Sequence, residues 1–199
     1  MGVIFIATIG MDSLFYAKIT EDAQGHESYA VPKVLAKAIK ADMNIELAEA
    51  DLFADDALAH AVKLFRGGTL TLGVEDIGRE IAADLTGATV DDNGVLIAAS
   101  EDSGYLVAVG FRALKPNNKY RYFWCYRVKF AVPSTNLQTK GDSIQFQTPQ
   151  IQGTIMRRSK PDAQGRHPWK AEVTEGEPGT TEVITGWFNK VYEPTFEEA

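Results

Sequence analysis

Apolar side chains recur at every second position over long stretches of this chain. From Tyr105 to Ala113 the odd positions Tyr105, Val107, Val109, Phe111 and Ala113 are apolar. Pro116-Asn117-Asn118 then supplies turn chemistry. From Tyr120 to Phe130 the even positions Tyr120, Tyr122, Trp124, Tyr126, Val128 and Phe130 are all apolar, with Arg121, Arg127 and Lys129 between them. Alternation of this length predicts a half-buried antiparallel hairpin whose second strand carries its aromatics on one face. A further strand is predicted over 38–48, with Ile39, Ala41, Met43, Ile45 and Leu47 on one face and Lys40, Asp42, Asn44 and Glu46 on the other. Another starts at Ser143, with Ile144 and Phe146 in phase, and slips by one residue after Pro149 to Ile151 and Ile155, as a bulge or bend would make it do.

Shorter strands are predicted at Ile4–Ile9, Leu14–Thr20, Thr69–Val74, Gly94–Ala98 and Lys170–Val173. Helical spacing is confined to two places. Ile77, Ile81 and Leu85 recur every four residues, with Gly87 placed to close the helix in a left-handed cap. A second helix is predicted over Thr181–Lys190, where Val183, Ile184 and Trp187 fit one face. Ala57–Phe65 reads equally as helix or strand. Segments 21–28, 86–94 and 159–168 read as exposed loops. No internal repeat or domain linker is present, so 1–199 reads as a single domain.

Composition narrows the function. The chain has 199 residues, a formal charge of −7 and one cysteine. That balance opposes a dedicated nucleic-acid binder, which needs a basic surface to release counterions from phosphates. Residues 1–100 carry 16 acidic and 7 basic side chains, against 11 and 13 in residues 101–199. An acidic half and a slightly basic half could bring identical copies together head to tail. Cys125 has no intramolecular partner, so no oxidising compartment is implied. The apolar run Gly2–Ala7 is short, lacks a positive flank and soon meets Asp12, so the chain is expected to remain where it is made.

Candidate chemistry is sparse. His26, His60 and His167 stand apart, with no zinc-ligand spacing. Gly73-Val74-Glu75-Asp76-Ile77-Gly78-Arg79-Glu80 has the glycine spacing of a phosphate loop, but lacks the Lys and Ser/Thr and sets carboxylates where phosphate would sit. Gly67-Gly68 reads as a turn. The acidic run Asp51-Leu52-Phe53-Ala54-Asp55-Asp56 lacks the spacing of a calcium loop. The aromatic-basic strand 120–130 lacks the glycine of a base-stacking RNA motif. No nucleophile–base or paired-carboxylate set emerges, and neither an enzyme, a cofactor nor a metal is expected.

Five segments together resemble the major tail proteins of long-tailed, non-contractile bacteriophages. They are Leu14–Asp22, Leu52–Asp56, Lys119–Trp124, Thr139–Pro149 and the closing Trp187-Phe188, in order over nearly the whole chain. The resemblance implies a mainly β fold, a tail-tube-type β-sandwich or barrel of antiparallel strands flanked by one main α-helix. It implies a structural virion protein whose six-subunit rings stack into the hollow tail tube through which the genome leaves. The implied partners are further copies of itself, tape-measure and tail-terminator or tip proteins, and double-stranded DNA in transit, with no membrane insertion and synthesis in the host cytoplasm. Asp42, Glu46, Glu49 and Asp51 are the expected lumen or ring-contact acids. Leu52, Phe53, Asp55 and Asp56 form the candidate polymerisation loop, the alternative being that Leu52 and Phe53 fold back onto their own sheet. The alternatives are a monomeric β-sandwich binding module and a tube-forming secretion component.

Overall fold

The computed structural model describes residues 8–23, 27–54, 57–133, 139 and 148–196, without the side chains of 51–54 and 57–60. Among the described residues eleven strands and two helices follow one another: β1 (Gly10–Glu21), β2 (Glu27–Tyr29), β3 (Lys33–Ala36), β4 (Ala38–Ala54), β5 (Ala57–Val74), α1 (Arg79–Thr86), β6 (Thr89–Val90), β7 (Leu96–Ile97), β8 (Leu106–Leu114), β9 (Tyr120–Phe130), β10 (Gln150–Met156), β11 (Lys170–Thr174) and α2 (Thr181–Thr185). The fold is mainly β with one main helix. Its antiparallel sheet runs β2-β1-β8-β9-β10-β5-β4, with β3 added to β1 and β11 to β9.

The two ends of this sheet are joined by the chain itself. β3 pairs with β1 at one edge, and after the single residue Lys37 the chain continues as β4, paired with β5 at the other. One extended stretch thus serves both edges, which bends the sheet round on itself in a barrel-like closure. The interior face holds Leu14, Tyr16, Leu35, Leu70, Leu72, Val109, Phe111, Val128, Ile151 and Ile155, all buried. Leu85 of α1 joins this core, with Ile77 and Ile81 packed against it.

Helix α1 ends as its sequence dictates. Gly87 takes φ 86° and its N–H donates to the Ala83 carbonyl. Asp84 fastens the helix to β1: Tyr16 Oη donates to it at 2.8 Å and Lys18 Nζ at 3.0 Å. Burial and the neighbouring carboxylate push the Tyr16 phenol well above its ordinary value, so it stays a donor.

A second core lies on the opposite face. Ala17, Ala108, Tyr122, Trp124 and Tyr126 pack against Trp187 and Val191, and Phe15 stacks on Phe188 at 4.7 Å. Trp124 Nε1–H donates to the Trp187 carbonyl at 3.0 Å. Gly110 is required here, because a Cβ on it would lie 2.8 Å from the Trp124 ring.

Several expectations need correction. The even positions of β9 do not share one face. Val107 pairs with Val128 and Val109 with Cys125, so β9 carries an extra residue between them. That bulge sends Val128 and Phe130 into the first core and Tyr122, Trp124 and Tyr126 into the second. Ile39 is the extra residue of another bulge, between Ala38 and Lys40, and is exposed. The second helix stops at Thr185, where Gly186 follows outside helical geometry. Segment 21–28 is not simply a loop, since it ends in the first two residues of β2 and holds the fully buried Glu27 carboxylate. Glu27 pairs with Arg127 and accepts the Ser159 N–H at 2.9 Å. The strand expected at Ile4–Ile9 falls outside the described residues through Ala7, and Ile9 itself is not in a strand. The one expected from Ser143 is likewise undescribed through Gln147, and β10 begins at Gln150.

Candidate assembly surface: the projecting hairpin

Ala57–Phe65, open between helix and strand in the sequence, is strand. It extends β5 to 18 residues alongside the 17 of β4. At roughly 3.3 Å per residue such a hairpin spans about 55 Å. Only its base belongs to the barrel. β10 covers β5 from Gly73 to Gly68, and beyond that point β5 pairs with β4 alone among the described residues. The outer half is a two-stranded arm.

The change from sheet to arm is built by a bulge. Glu46 pairs with Gly67 and Leu47 with Phe65, leaving Arg66 as the extra residue. Gly67-Gly68, expected as a turn, therefore lies inside β5. The glycine is needed at Gly68, where a Cβ would come within 2.7 Å of the Asn44 carbonyl oxygen. The bulge inverts the phase of β5. Phe65 keeps the core side and stacks on Trp169 at 4.7 Å, while Leu64 and Val62 turn to the opposite face.

That opposite face changes character along its length. Near the base it carries Lys40, Asp42, Asn44 and Glu46, with Lys40 Nζ 2.6 Å from Asp42. Farther out, Ala48 pairs with Leu64 and Ala50 with Val62, and all four are exposed. Val62 is 48% and Leu64 63% exposed, so an apolar strip lies uncovered among the described residues. On the reverse, Glu49 pairs with Lys63 Nζ at 3.0 Å beside the exposed Leu47.

The expected acids do not share one face of the hairpin. Asp42 and Glu46 share the face that leads to the apolar strip. Glu49 belongs to the other face, and Asp51 lies beyond it in register with Ala61. Leu52 and Phe53 continue β4 in register with His60 and Leu58 rather than forming a loop, and Asp55 and Asp56 lie outside the described residues. The strip Ala48, Ala50, Val62 and Leu64 escaped sequence reasoning. The only signal for it was the short alternation of Val62, Leu64 and their neighbours, which the bulges interrupt.

The rest of the surface offers a smaller feature. A cleft of about 400 Å³ lies between α2 and residues 191–196, lined by Val183, Trp187 and Tyr192 with Glu182, Lys190 and Glu193. Its Glu193 is held by Arg158 at 2.8 Å and Lys160 at 3.2 Å. Cys125 is wholly buried and its thiol is pushed up to about 12, which removes it from thiolate chemistry at neutral pH. His167 Nδ1 lies 3.1 Å from the Arg158 carbonyl oxygen, in a loop-closing contact. Among the described residues no three His, Cys, Asp or Glu side chains gather to hold a metal ion, and no helix is long and apolar enough to cross a membrane. Compared with known proteins, the chain matches no family model and no curated sequence.

Proposed function

We propose that this protein is a self-assembling structural subunit, a tail-tube protein whose rings stack into a hollow conduit for a phage genome. The observation that carries this reading is the projecting β4–β5 arm, with its exposed apolar strip and an outer edge of β4 that is unpaired among the described residues. A free strand edge beside uncovered apolar side chains is costly for a lone monomer and useful for one that pairs with copies of itself. Closing such edges in a ring, and repeating the contact along an axis, is how a symmetric oligomer grows into a tube. The segments that resemble major tail proteins support the same reading.

Asp42 and Glu46 fit the conduit role. They are exposed on the arm's polar base, and a negative wall repels phosphate so that DNA slides rather than binds. The subunit works as a wall and needs no catalytic group. Negative-stain electron microscopy of concentrated protein tests the reading. Rings or hollow tubes are expected, and a monodisperse monomer at every concentration and salt would overturn it. The cleft beside α2 favours the second reading, a ligand-binding module, because its volume lies within the range of small-molecule sites. That reading expects a monomer with the cleft free.

A further inference from the structure

Among the described residues the arm is not the only uncovered apolar face. β6 and β7 form a separate two-stranded ribbon next to α1, paired among the described residues only with each other. Val95 and the two residues of its outer strand, Leu96 and Ile97, follow in succession at 54%, 38% and 52% exposed. Side chains on both faces of β7 are therefore open.

The ribbon is held in shape despite its short strands. Asp91 Oδ1 accepts the N–H groups of Asn93 at 2.9 Å and Val95 at 2.8 Å, and Gly94 supplies the left-handed turn position at φ 78°. Arg79 of α1 donates to the Gly94 carbonyl, which fastens the turn to the helix. Asp102 Oδ2 accepts the Ala99 N–H at 2.7 Å beyond the ribbon. The apolar triplet is thus presented on a fixed support.

The charge around it is one-sided. Residues 75–103 contain eight acidic side chains and one basic, Arg79. The remaining residues of the chain carry 19 acidic and 19 basic, so this lobe accounts for the whole net charge of −7. Lys37 pairs with Glu75 and Lys18 with Asp84, both from outside the lobe. Exposed Asp76, Glu80, Asp92 and Glu101 remain around the ribbon and α1.

We propose that this lobe is a docking surface for a basic, aliphatic segment of a different protein. The segment lays its apolar side chains over Val95, Leu96 and Ile97 and its lysines or arginines against Asp92, Glu101 and Glu80. Charge complementarity selects this occupant. Nucleic acids and anionic lipid surfaces are repelled by the same field. A second copy is a poor match, because ten of this chain's lysines and arginines are already paired with its own carboxylates among the described residues. The ribbon's small area suits a short extended segment that adds to the β7 edge. The inference does not depend on whether the arm drives assembly.

The test uses the full chain, isotope-labelled, titrated with three synthetic peptides: alternating Lys-Leu, alternating Lys-Ser and alternating Glu-Leu. Amide shifts centred on residues 89–102 are expected with the Lys-Leu peptide, with affinity falling at least about tenfold for either of the others. The surface variants Leu96→Ser with Ile97→Ser, and Asp92→Asn with Glu101→Gln, should each weaken Lys-Leu binding by about tenfold or more while leaving the remaining spectrum in place. Raising the salt from about 0.05 to about 0.3 M should weaken it similarly. Shifts centred on the arm or on the α2 cleft, equal binding of the Lys-Ser peptide, or no binding at all would overturn the proposal. So would protection of the ribbon amides by self-association of the pure chain, which would make a second copy the occupant.

Discussion

Replacing Val62 and Leu64 together by serine separates folding from assembly. Full burial of a valine or leucine side chain contributes about 1.5–3 kcal/mol. In the isolated subunit Val62 is 48% and Leu64 63% exposed. The double variant therefore loses about 1–3 kcal/mol of monomer stability, which a domain of about 5–15 kcal/mol survives. If the strip is covered by a neighbouring copy, the exposed fractions are worth a further ~2–3 kcal/mol for the pair. At about 1.4 kcal/mol per factor of ten, each contact then weakens roughly 30- to 100-fold. Sedimentation velocity over a concentration series should show the assembly threshold rising by about that factor, while a thermal melt followed by circular dichroism stays cooperative. An unchanged threshold would refute the assignment of the strip to an interface. A lost melting transition would show instead that the arm is needed to fold the barrel.

Gly110→Ala should destabilise the fold by about 1–3 kcal/mol, because its Cβ would strike the buried Trp124 ring, and denaturant unfolding measures it. Glu27→Gln leaves Arg127 with the more exposed Glu21 as its carboxylate partner and should cost about 1–3 kcal/mol in the same assay. The Arg112 guanidinium beside Asp12 holds that carboxyl below its ordinary value of 3.8. The folded pKa is the lower one, so this contribution is present above pH ~4 and is lost as pH falls through the depressed value. Asp12→Asn should flatten the acid limb of a stability-against-pH curve, and an unaltered limb would count against the pair. Cys125 should react with a thiol reagent only as fast as the protein unfolds, and rapid labelling of the native chain would contradict its burial.

What could be read in the sequence was decided by where alternation ran unbroken. The β8–β9 hairpin was legible because Pro116-Asn117-Asn118 separates two clean period-two runs. Asn118 duly takes a positive φ of 57°, and Lys115 N–H bonds to the Lys119 carbonyl at 2.9 Å. Helix α1 was legible from its four-residue spacing and Gly87. The arm was legible only as far as Leu47. Beyond it β5 has bulges at Arg66 and near Ala59, and each reverses which face the next residues occupy. A one-letter pattern shows such a reversal as noise. Glu27 was invisible for a different reason. Its partners lie 100 and more residues away, at Arg127, Ser159 and Lys160, and nothing local marks a glutamate that will be buried.

The position of the charge bears on how the two proposed surfaces would work. An acidic first half and a slightly basic second half suggested copies attracted head to tail. In the fold, the excess is confined to the lobe of α1, β6 and β7, and many of the basic groups elsewhere are already spent on internal ion pairs. Coulombic attraction between copies is then a weak drive for assembly. The arm offers a strip of alanine, valine and leucine and an open strand edge, whose burial is favoured by excluded salts such as sulfate. Docking on the lobe depends on unscreened carboxylates and weakens in the same salt. Opposite responses to ionic strength follow from the residues each surface presents, so a single salt series distinguishes self-association through the arm from capture of a basic partner at the ribbon.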